Sequence, residues 1–586
     1  MKYNLINENF ADNYAANLLR SRGVADLEQY KAPGREFLSS PSNLKNIAAA
    51  AGLYIRVVTQ GGRVLIVVDS DNDGYTSAAI IYQYTKRVNP NIQIDYWLHD
   101  GKQHGLSDHI DKLMDADHQF DLIILPDSSS NDAKYHDMLD EIHIPCLILD
   151  HHLTDEKLSY NAIVVNNQLS PNYENKELTG AGVVYQFCRY VDSLYSRNWA
   201  DDYLDLAAWG IIGDMGSVLD MENRYIIYEG LSKEHIKNDF LKCLLNKQAY
   251  SITGKMGATW DDIVEKTNPI SIAFYIVPLV NAMIRVGTMP EKERLFMAFI
   301  DGSQMVPCNK RGAKGTMERV DIESTRECVN AKSKQDKTKL EAVERLEAKI
   351  FKHDLLDNKV LFVRLEDTER FPSELNGLIA MQLAAKYKKP TIVARLNDQG
   401  FDRGSARGMN QSELRDFREF LLGSGMFEYA QGHANAFGIS IPDDKLRDFH
   451  EYANEALKDI DFGENVYDVN FVRGADSKDL YDLVIDLGSQ NGIWGQGNAE
   501  PVVCVENILC SPRSVRIMGS NQDTLKIEYN GMSYLKFRAK DLIEKINKYP
   551  ADAQLSMTVV GRCNLNEWGG RISPQLFIDD CEINSI

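Results

Sequence analysis

The chain has 586 residues, with 65 Lys+Arg against 85 Asp+Glu and a formal net charge of −20, which disfavours bulk electrostatic capture of nucleic acid but leaves room for an acidic metal site. Apolar residues make up 44% and charged residues 26%, a globular composition long enough for three to five domains. The most apolar run, Ile272 to Ile284, is short for a membrane span and contains Pro278 and Asn281. The opening MKYNLINENFADNY has acids and no apolar run, so no secretory signal is expected, and nine scattered cysteines without a C-x-x-C pair fit a reducing cytoplasm.

Residues 1–55 read as a helical segment, with helical apolar spacing over Ala11–Leu19 and Leu44–Ile55. Residues 56–300 then read as an α/β domain. VLIVV before Asp69 is a β-branched run suited to a strand buried on both faces of a parallel sheet. Ile92–Leu98, LIIL before Pro126, CLIL before Asp150 and Ala162–Asn166 repeat the pattern, with helices such as Thr76–Lys86 and Ala133–Glu141 between them. Tyr203–Phe299 is helical. Residues 301–355 form a charged connector with Lys310, Arg311, Lys314, Lys332, Lys334, Lys337 and Lys339, which reads either as a solvated helix or as a basic strip beside a substrate path. A smaller α/β unit fills 356–465, with strands at Lys359–Leu365 and Thr391–Leu396 around helix Leu375–Lys386. Residues 466–586 turn β-rich, with short strands spaced as in a small barrel.

The chemistry concentrates at strand ends. Asp69 and Asp71 follow the first buried strand, Asp127 another, and Asp150, His151 and His152 a third; Asp214 lies in GIIGDMG. Ligands of open parallel sheets bind at the carboxyl ends of the strands, so these residues converge on one edge. So many carboxylates raise one another's pKa unless cations sit among them. Oxygen donors with an imidazole suit Mn²⁺ or Mg²⁺, and there are donors for two ions that activate water and hold phosphoryl oxygens. Asp73, just before Gly74 and a helix, suits either this set or a helix N-cap.

DSDNDG, PDSSSND, LDHH and GDMG, in this order, resemble the motifs of the DHH phosphoesterase superfamily. LLRSRGV, LTGAGVVYQF, VNAMIRVG, FPSELNGLIAMQLAAKYKKPTIVA, GSARG, QGHANAFG and WGQGNAEPVV resemble segments of its RecJ single-strand exonuclease branch. The resemblance implies a DHH domain and a DHH-associated domain joined by a long helix, followed by an oligonucleotide-binding (OB) barrel. It implies Asp69, Asp71, Asp127, His151 and Asp214 as metal ligands. His152 would contact the scissile phosphate, with Asp150 orienting the histidines and Asp73 carried in the catalytic set. Arg407, His433, Ser405 and the backbone at Gly432 would hold substrate phosphate, and Asn281 and Arg285 match further polar positions.

The implied activity is 5′-to-3′ hydrolysis of single-stranded DNA to 5′-mononucleotides with two Mn²⁺, or Mg²⁺, ions. Single-stranded DNA is the implied partner, with a single-strand-binding protein or helicase as protein partners and no membrane. Its rivals are a phosphodiesterase on short RNA or cyclic dinucleotides, which would make the barrel dispensable, and a non-catalytic replication or repair scaffold, which the filled ligand positions disfavour. Three departures stand out: Gln431 where the family has a glycine, Ser128-Ser129 after Asp127, and LHDGKQHGLS, where His99 falls near an expected arginine. His99, His104 and Lys102 are therefore candidates to seat the 5′ end. In the last domain Trp494, Tyr529, Tyr534, Phe537 and Trp568 mix with Arg513, Arg516, Lys526, Lys536, Arg538, Arg562 and Arg571, residues suited either to stacking bases or to filling the barrel core.

Overall fold

The computed structural model describes residues 1–101, 103–115, 119–154, 160–366, 371–568 and 570–586. Lys102 lies outside them, and so does the side chain of Trp568. The chain packs as two units, residues 19–333 with 490–500, and residues 1–18 and 334–489 with 501–586.

The first unit is built on a five-stranded sheet in the order Gln93–Leu98, Arg63–Val68, Leu122–Pro126, Cys146–Asp150, Ala162–Asn166. Every pairing is parallel. The strands are buried on both faces, which is why their sequences run apolar without alternation. Val64, Ile66, Val68, Leu122, Ile124, Leu147 and Leu149 enter one core, while Leu65, Val67, Ile123, Leu125, Cys146 and Ile148 enter the other. Strand order reverses between Arg63–Val68 and Leu122–Pro126, which opens a crevice at their carboxyl ends. The helices Asn72–Val88, Gly180–Leu194 and Leu204–Gly213 pack over this sheet within the larger core.

The apolar run near Ile272 is longer than the sequence reading gives. The helical stretch Pro269–Val286 reaches 18 residues with mean hydropathy 1.6. It is interrupted by a π-helical turn at Ile272–Ile276 and packs Ile272, Ile276, Val280 and Met283 into the core. Among the described residues it is the one helix long and apolar enough to cross a membrane.

In the second unit, a five-stranded sheet runs in the order Tyr429–His433, Ala436–Pro442, Phe401–Arg407, Thr391–Leu396, Leu361–Leu365. A seven-stranded mixed sheet follows, whose longest members, Leu555–Trp568 and Arg571–Ser585, form one hairpin. The N-terminal helical reading needs correction: Lys2–Leu5 is a strand paired in parallel with Val466–Val469, and it belongs to this second unit. Too short and exposed to carry a periodic signal, it is fixed by a partner strand remote in sequence. The connector resolves into a hairpin, Met305–Pro307 with Met317–Arg319, followed by a single helix, Val320–Lys352.

Candidate metal centre

The crevice where strand order reverses gathers the sequence-predicted acids. Asp69 directly follows strand Arg63–Val68 and is fully buried, and Asp71 caps helix Asn72–Val88 by accepting the Gly74 amide at 3.0 Å. Gly74 is required by close approach, since a Cβ there would lie 2.6 Å from the Asp69 carbonyl oxygen and Cβ. Asp73 points away from solvent and accepts the amides of Gly180 (2.7 Å) and Ala181 (3.0 Å), at the N-terminus of helix Gly180–Leu194. It therefore clamps that helix, and its carboxylate also lies within the group formed by His151 and Asp214. Asp127 is held at φ +66°, in the left-handed region that aspartate tolerates better than most residues. A Cβ on Gly180 would strike its carboxylate, so the glycine of LTGAG makes room for Asp127.

Asp150, expected to orient the histidines, sits among their donors. It accepts the backbone amides of Ser130 (3.1 Å), His151 (2.7 Å) and His152 (3.2 Å), and it pairs with His152 Nδ1 at 2.8 Å. Although burial opposes ionisation, these hydrogen bonds and the histidine charge hold its pKa below the usual carboxylate range. In return, the Asp150 hydrogen bond raises His152 to about 9. Asn166, which sequence reasoning did not single out, ends the last strand and donates to Ser130 Oγ and to the His152 carbonyl, both at 3.0 Å. His151 Nε2 lies 3.2 Å from Asp127 Oδ1 and 3.4 Å from Asp214 Oδ2. Burial pushes its pKa down, keeping a neutral lone pair.

Asp214 caps the C-terminus of helix Leu204–Gly213, whose glycines allow close packing. A Cβ on Gly210 would collide with Ala181, Asp73 and Thr76, and one on Gly213 with Asn72. GIIGDMG thus sets helix against helix and delivers Asp214 to the crevice.

These carboxylates titrate as a cluster. Burial, then the neighbouring acids, raises Asp127 well above its ordinary value and Asp214 to about 8; burial raises Asp69 to about 6. Among the described residues, Asp69 Oδ1 is buried with no hydrogen-bond partner, and Asp127 Oδ1 and His151 Nε2, although 3.2 Å apart, are buried without forming a hydrogen bond. Orphaned acceptors crowded by like charge are the environment that cations relieve, so the residues present fit a divalent metal centre. The donor atoms group within 4.8 Å of one another as Asp69, Asp71 and Asp127; as Asp73, His151 and Asp214; and as Asp127, Asp150, His151 and His152.

His104 and His99 part company. His104 Nδ1 lies 2.7 Å from Asp69 Oδ2, which makes it a member of the centre. His99, expected to be available to a 5′ phosphate, is buried with its ring 4.6 Å from that of His109 and its Nδ1 4.0 Å from Asp108 Oδ2, and neither nitrogen has a hydrogen-bond partner among the described residues. Enclosed there, it cannot touch a strand end. Arg285 lies near enough to Asp71 for the two charges to interact.

The residues expected to hold substrate phosphate lie in the second unit. Arg407 pairs in register with Ala436, and Ala436 with His433; Ser405 pairs with Gly438, and Gly438 with Gln431. Residues directly opposite one another, and those two apart along a strand, share a face. Ser405, Arg407 and His433 therefore stand on one side of the sheet, with small Ala436 and Gly438 between them. Gly432, at φ +135°, faces the other way, opposite Phe437. Gly377 leaves space for the Arg407 guanidinium. Of the aromatics singled out in the last domain, Tyr534 is core and Phe537 exposed, whereas Trp494 is buried and belongs to the first unit.

A parallel sheet with acids at its reversal point, a D-H-H triplet closing one strand and an aspartate closing a glycine-lined helix define a DHH-class phosphoesterase. Residues 63–211 match the family model described as DHH family, N-terminal domain, and residues 478–580 match the RecJ OB domain. The chain is 35% identical over 591 residues to a Bacillus subtilis (strain 168) protein named as an SPbeta prophage-derived single-strand DNA-specific exonuclease, YorK, covering 100% of this chain and 98% of that one. It is 25% identical over 596 residues to the single-stranded-DNA-specific exonuclease RecJ of the same bacterium, covering 97% of this chain and 68% of that one. This chain belongs to the RecJ family. Its fold matches the crystal structure of Thermus thermophilus RecJ in complex with Mn²⁺ (TM-score 0.71, 18% identity, 99% of this chain and 79% of that one). The Mg²⁺ complex of that RecJ matches with TM-score 0.64 at 16% identity, over 99% of this chain and 78% of that one.

Proposed function

We propose that this chain is a metal-dependent exonuclease that degrades single-stranded DNA from its 5′ end to 5′-mononucleotides. The observation that carries this reading is the overlap of the donor groups at the crevice, in which Asp127 and His151 each belong to two groups. Asp69, Asp71, Asp127, His151 and Asp214 would hold two Mn²⁺ or Mg²⁺ ions. Such ions, when bound, lower the pKa of a water and neutralise phosphoryl oxygens.

The chain's own groups do the rest. Asp150 fixes the His152 ring through Nδ1, so that Nε2 donates to a phosphate oxygen and stabilises the charge that builds there. Asp73, by clamping helix Gly180–Leu194, holds Gly180 against Asp127 and so fixes that carboxylate. Arg407 offers a planar, bidentate donor for a second phosphate, with Ser405 and His433 beside it. The nine free thiols fit work in a reducing cytoplasm.

End-labelled oligonucleotides test the reading. Single-stranded DNA with a 5′ label should release labelled mononucleotide from the first turnovers, in Mn²⁺ or Mg²⁺, and chelator should stop it. Duplex DNA and RNA should be cut far more slowly. Equal cutting of RNA, or release of label from 3′ ends first, would overturn it.

A further inference from the structure

The hairpin before the long helix stands outside the machinery described so far, yet its chemistry is distinctive. Its tip, Cys308 to Thr316, presents Lys310, Arg311 and Lys314 to solvent, and Gly312 and Gly315 there have open space around them. Beneath the hairpin lies a groove of about 570 Å³. Its walls are Asn246 and Lys247 of helix Asp239–Lys247, Lys310 of the hairpin, and Ile322, Arg326 and Asn330 of the long helix, among others. Lys247, Lys310, Arg311 and Lys314 have no ion pair among the described residues. By contrast, Lys337 and Lys339 further along the helix pair with Glu341 and Asp336, which gives that stretch the solvated-helix reading. Arg326 is shared by Glu318, itself a wall of the groove, and Glu323, so the free positive charge comes from Lys247 and Lys310 and from the tip beyond them.

In a chain of net charge −20, unpaired cations gathered on one protruding element are a local attractor for polyanions. Two features favour a strand over a small anion. The cations extend along the tip beyond the groove rather than closing around a point, and the floor offers Ile322, 43% exposed, beside the amide of Asn330, suited to sugar and base contact.

We propose that the hairpin tip and this groove form a second docking track for the phosphodiester backbone of single-stranded DNA, separate from the metal centre. The proposal rests on the nuclease reading above. The separation follows from helix Asn72–Val88. Its N-cap, Asp71, lies at the metal centre, while Gln83, twelve residues on, bonds the Phe299 carbonyl at 3.2 Å. Gly302, just beyond, sits against Asp239 and Asp321, from which the groove's two helices start. Twelve helical residues rise about 18 Å, which is on the order of five nucleotides at about 3.4 Å each. Strands shorter than that cannot engage both places.

The test is the variant K310A/R311A/K314A, whose tip packs against nothing that the changes remove. Binding of a long single-stranded oligonucleotide is measured by fluorescence anisotropy at several salt concentrations, with chelator present so that nothing is cut. Three lost phosphate contacts, at about 0.7 each, should shrink the slope of log K against log salt by about 2, so between 50 and 200 mM salt the parent's affinity falls about 20-fold more than the variant's. Removing the same number of charges at Lys445, Arg447 and Lys458 should leave the slope unchanged. With metal, trinucleotides should be cut equally by both proteins while KM for long strands rises in the variant. Equal slopes overturn the track. Loss of 5′-mononucleotide binding alone, with equal slopes, would make the groove a nucleotide pocket and also overturn it. Binding needs no turnover, so a protein that hydrolyses nothing would refute the nuclease reading and leave this measurement intact.

Discussion

Asp127 shows how the site sets function against stability. Its carboxylate is buried among Asp69, Asp71, Asp73 and Asp214, and their charges add to burial in raising its pKa. Without cations that arrangement is repulsive; with them it is the reason for binding. Asp127→Asn keeps the shape and removes one charge. Turnover should fall to background, while the metal-free protein should melt about 3 °C higher than the parent. The parent's rise in Tm on adding Mn²⁺ should shrink in the variant. A variant that keeps near-parental turnover at saturating Mn²⁺ would remove Asp127 from the centre. His99 gives a second, independent readout. Burial, with lesser contributions from His109, His104 and Lys292, lowers its pKa to about 3. In the unfolded chain it titrates near 6.5, so between these values the unfolded state holds the extra proton and stability falls with acid. Its contribution is whole above about pH 6.5 and is lost as the pH drops toward 3. His99→Leu should lose less stability than the parent between pH 7 and 5 in urea titrations, and parallel curves would show that the ring is not kept neutral.

At the scale of elements, the decisive contact is glycine against helix. Gly210 has no room for a Cβ between Ala181, Asp73 and Thr76. Gly210→Ala should cost about 1–3 kcal/mol by overpacking and should lower kcat by shifting Asp214 and the Asp73 clamp. A thermal melt and a metal titration on the same sample check both halves, and an unchanged melt would mean that the helices separate without cost. Such packing explains what could be read in advance. The buried strands announce themselves as unbroken apolar runs, and the acids at their ends follow from that placement, so the sheet and the convergence of the candidate ligands on one edge were legible. Asp73 was legible only as two alternatives, and the structure gives it amides to hold as well as a place near His151. The strand Lys2–Leu5, the strand Phe401–Arg407 carrying Ser405 and Arg407, and the helix Leu446–Ala456 were not read as elements. The first two depend on pairing with distant strands. His104 was read as a reader of the strand end; nothing local links it to Asp69, because the contact is made by a loop folding back on the sheet edge.

For the whole molecule, the path of the chain decides whether a domain can be removed. The barrel reading of residues 466–586 makes a cut near Tyr467 attractive, since every candidate metal ligand lies far upstream. The structure argues otherwise, because residues 490–500 belong to the catalytic unit. Arg224, almost wholly buried, donates to the Gly492 carbonyl at 2.6 Å. Tyr30, fully buried, donates to the Val218 carbonyl and lies 3.3 Å from that of Ile493, while Asn498 donates to the Tyr30 hydroxyl at 3.2 Å. The Val218 amide, a few residues past Asp214, bonds the Gln496 carbonyl at 2.9 Å. Truncation would leave a buried guanidinium short of a partner and strip the strut behind the Asp214 turn, a loss of about 3 kcal/mol or more. A protein ending at residue 466 should therefore cut very short and long strands equally poorly and melt well below the parent. Adding a synthetic peptide of residues 490–500 should restore part of the melting temperature. Exposed residues of the last sheet, by contrast, can be changed without touching this strut: Phe537→Ala with Arg538→Ala should weaken long-strand binding and leave the melt unchanged. If the truncated protein keeps parental rates on short oligonucleotides, the 490–500 segment is not the brace these hydrogen bonds make it.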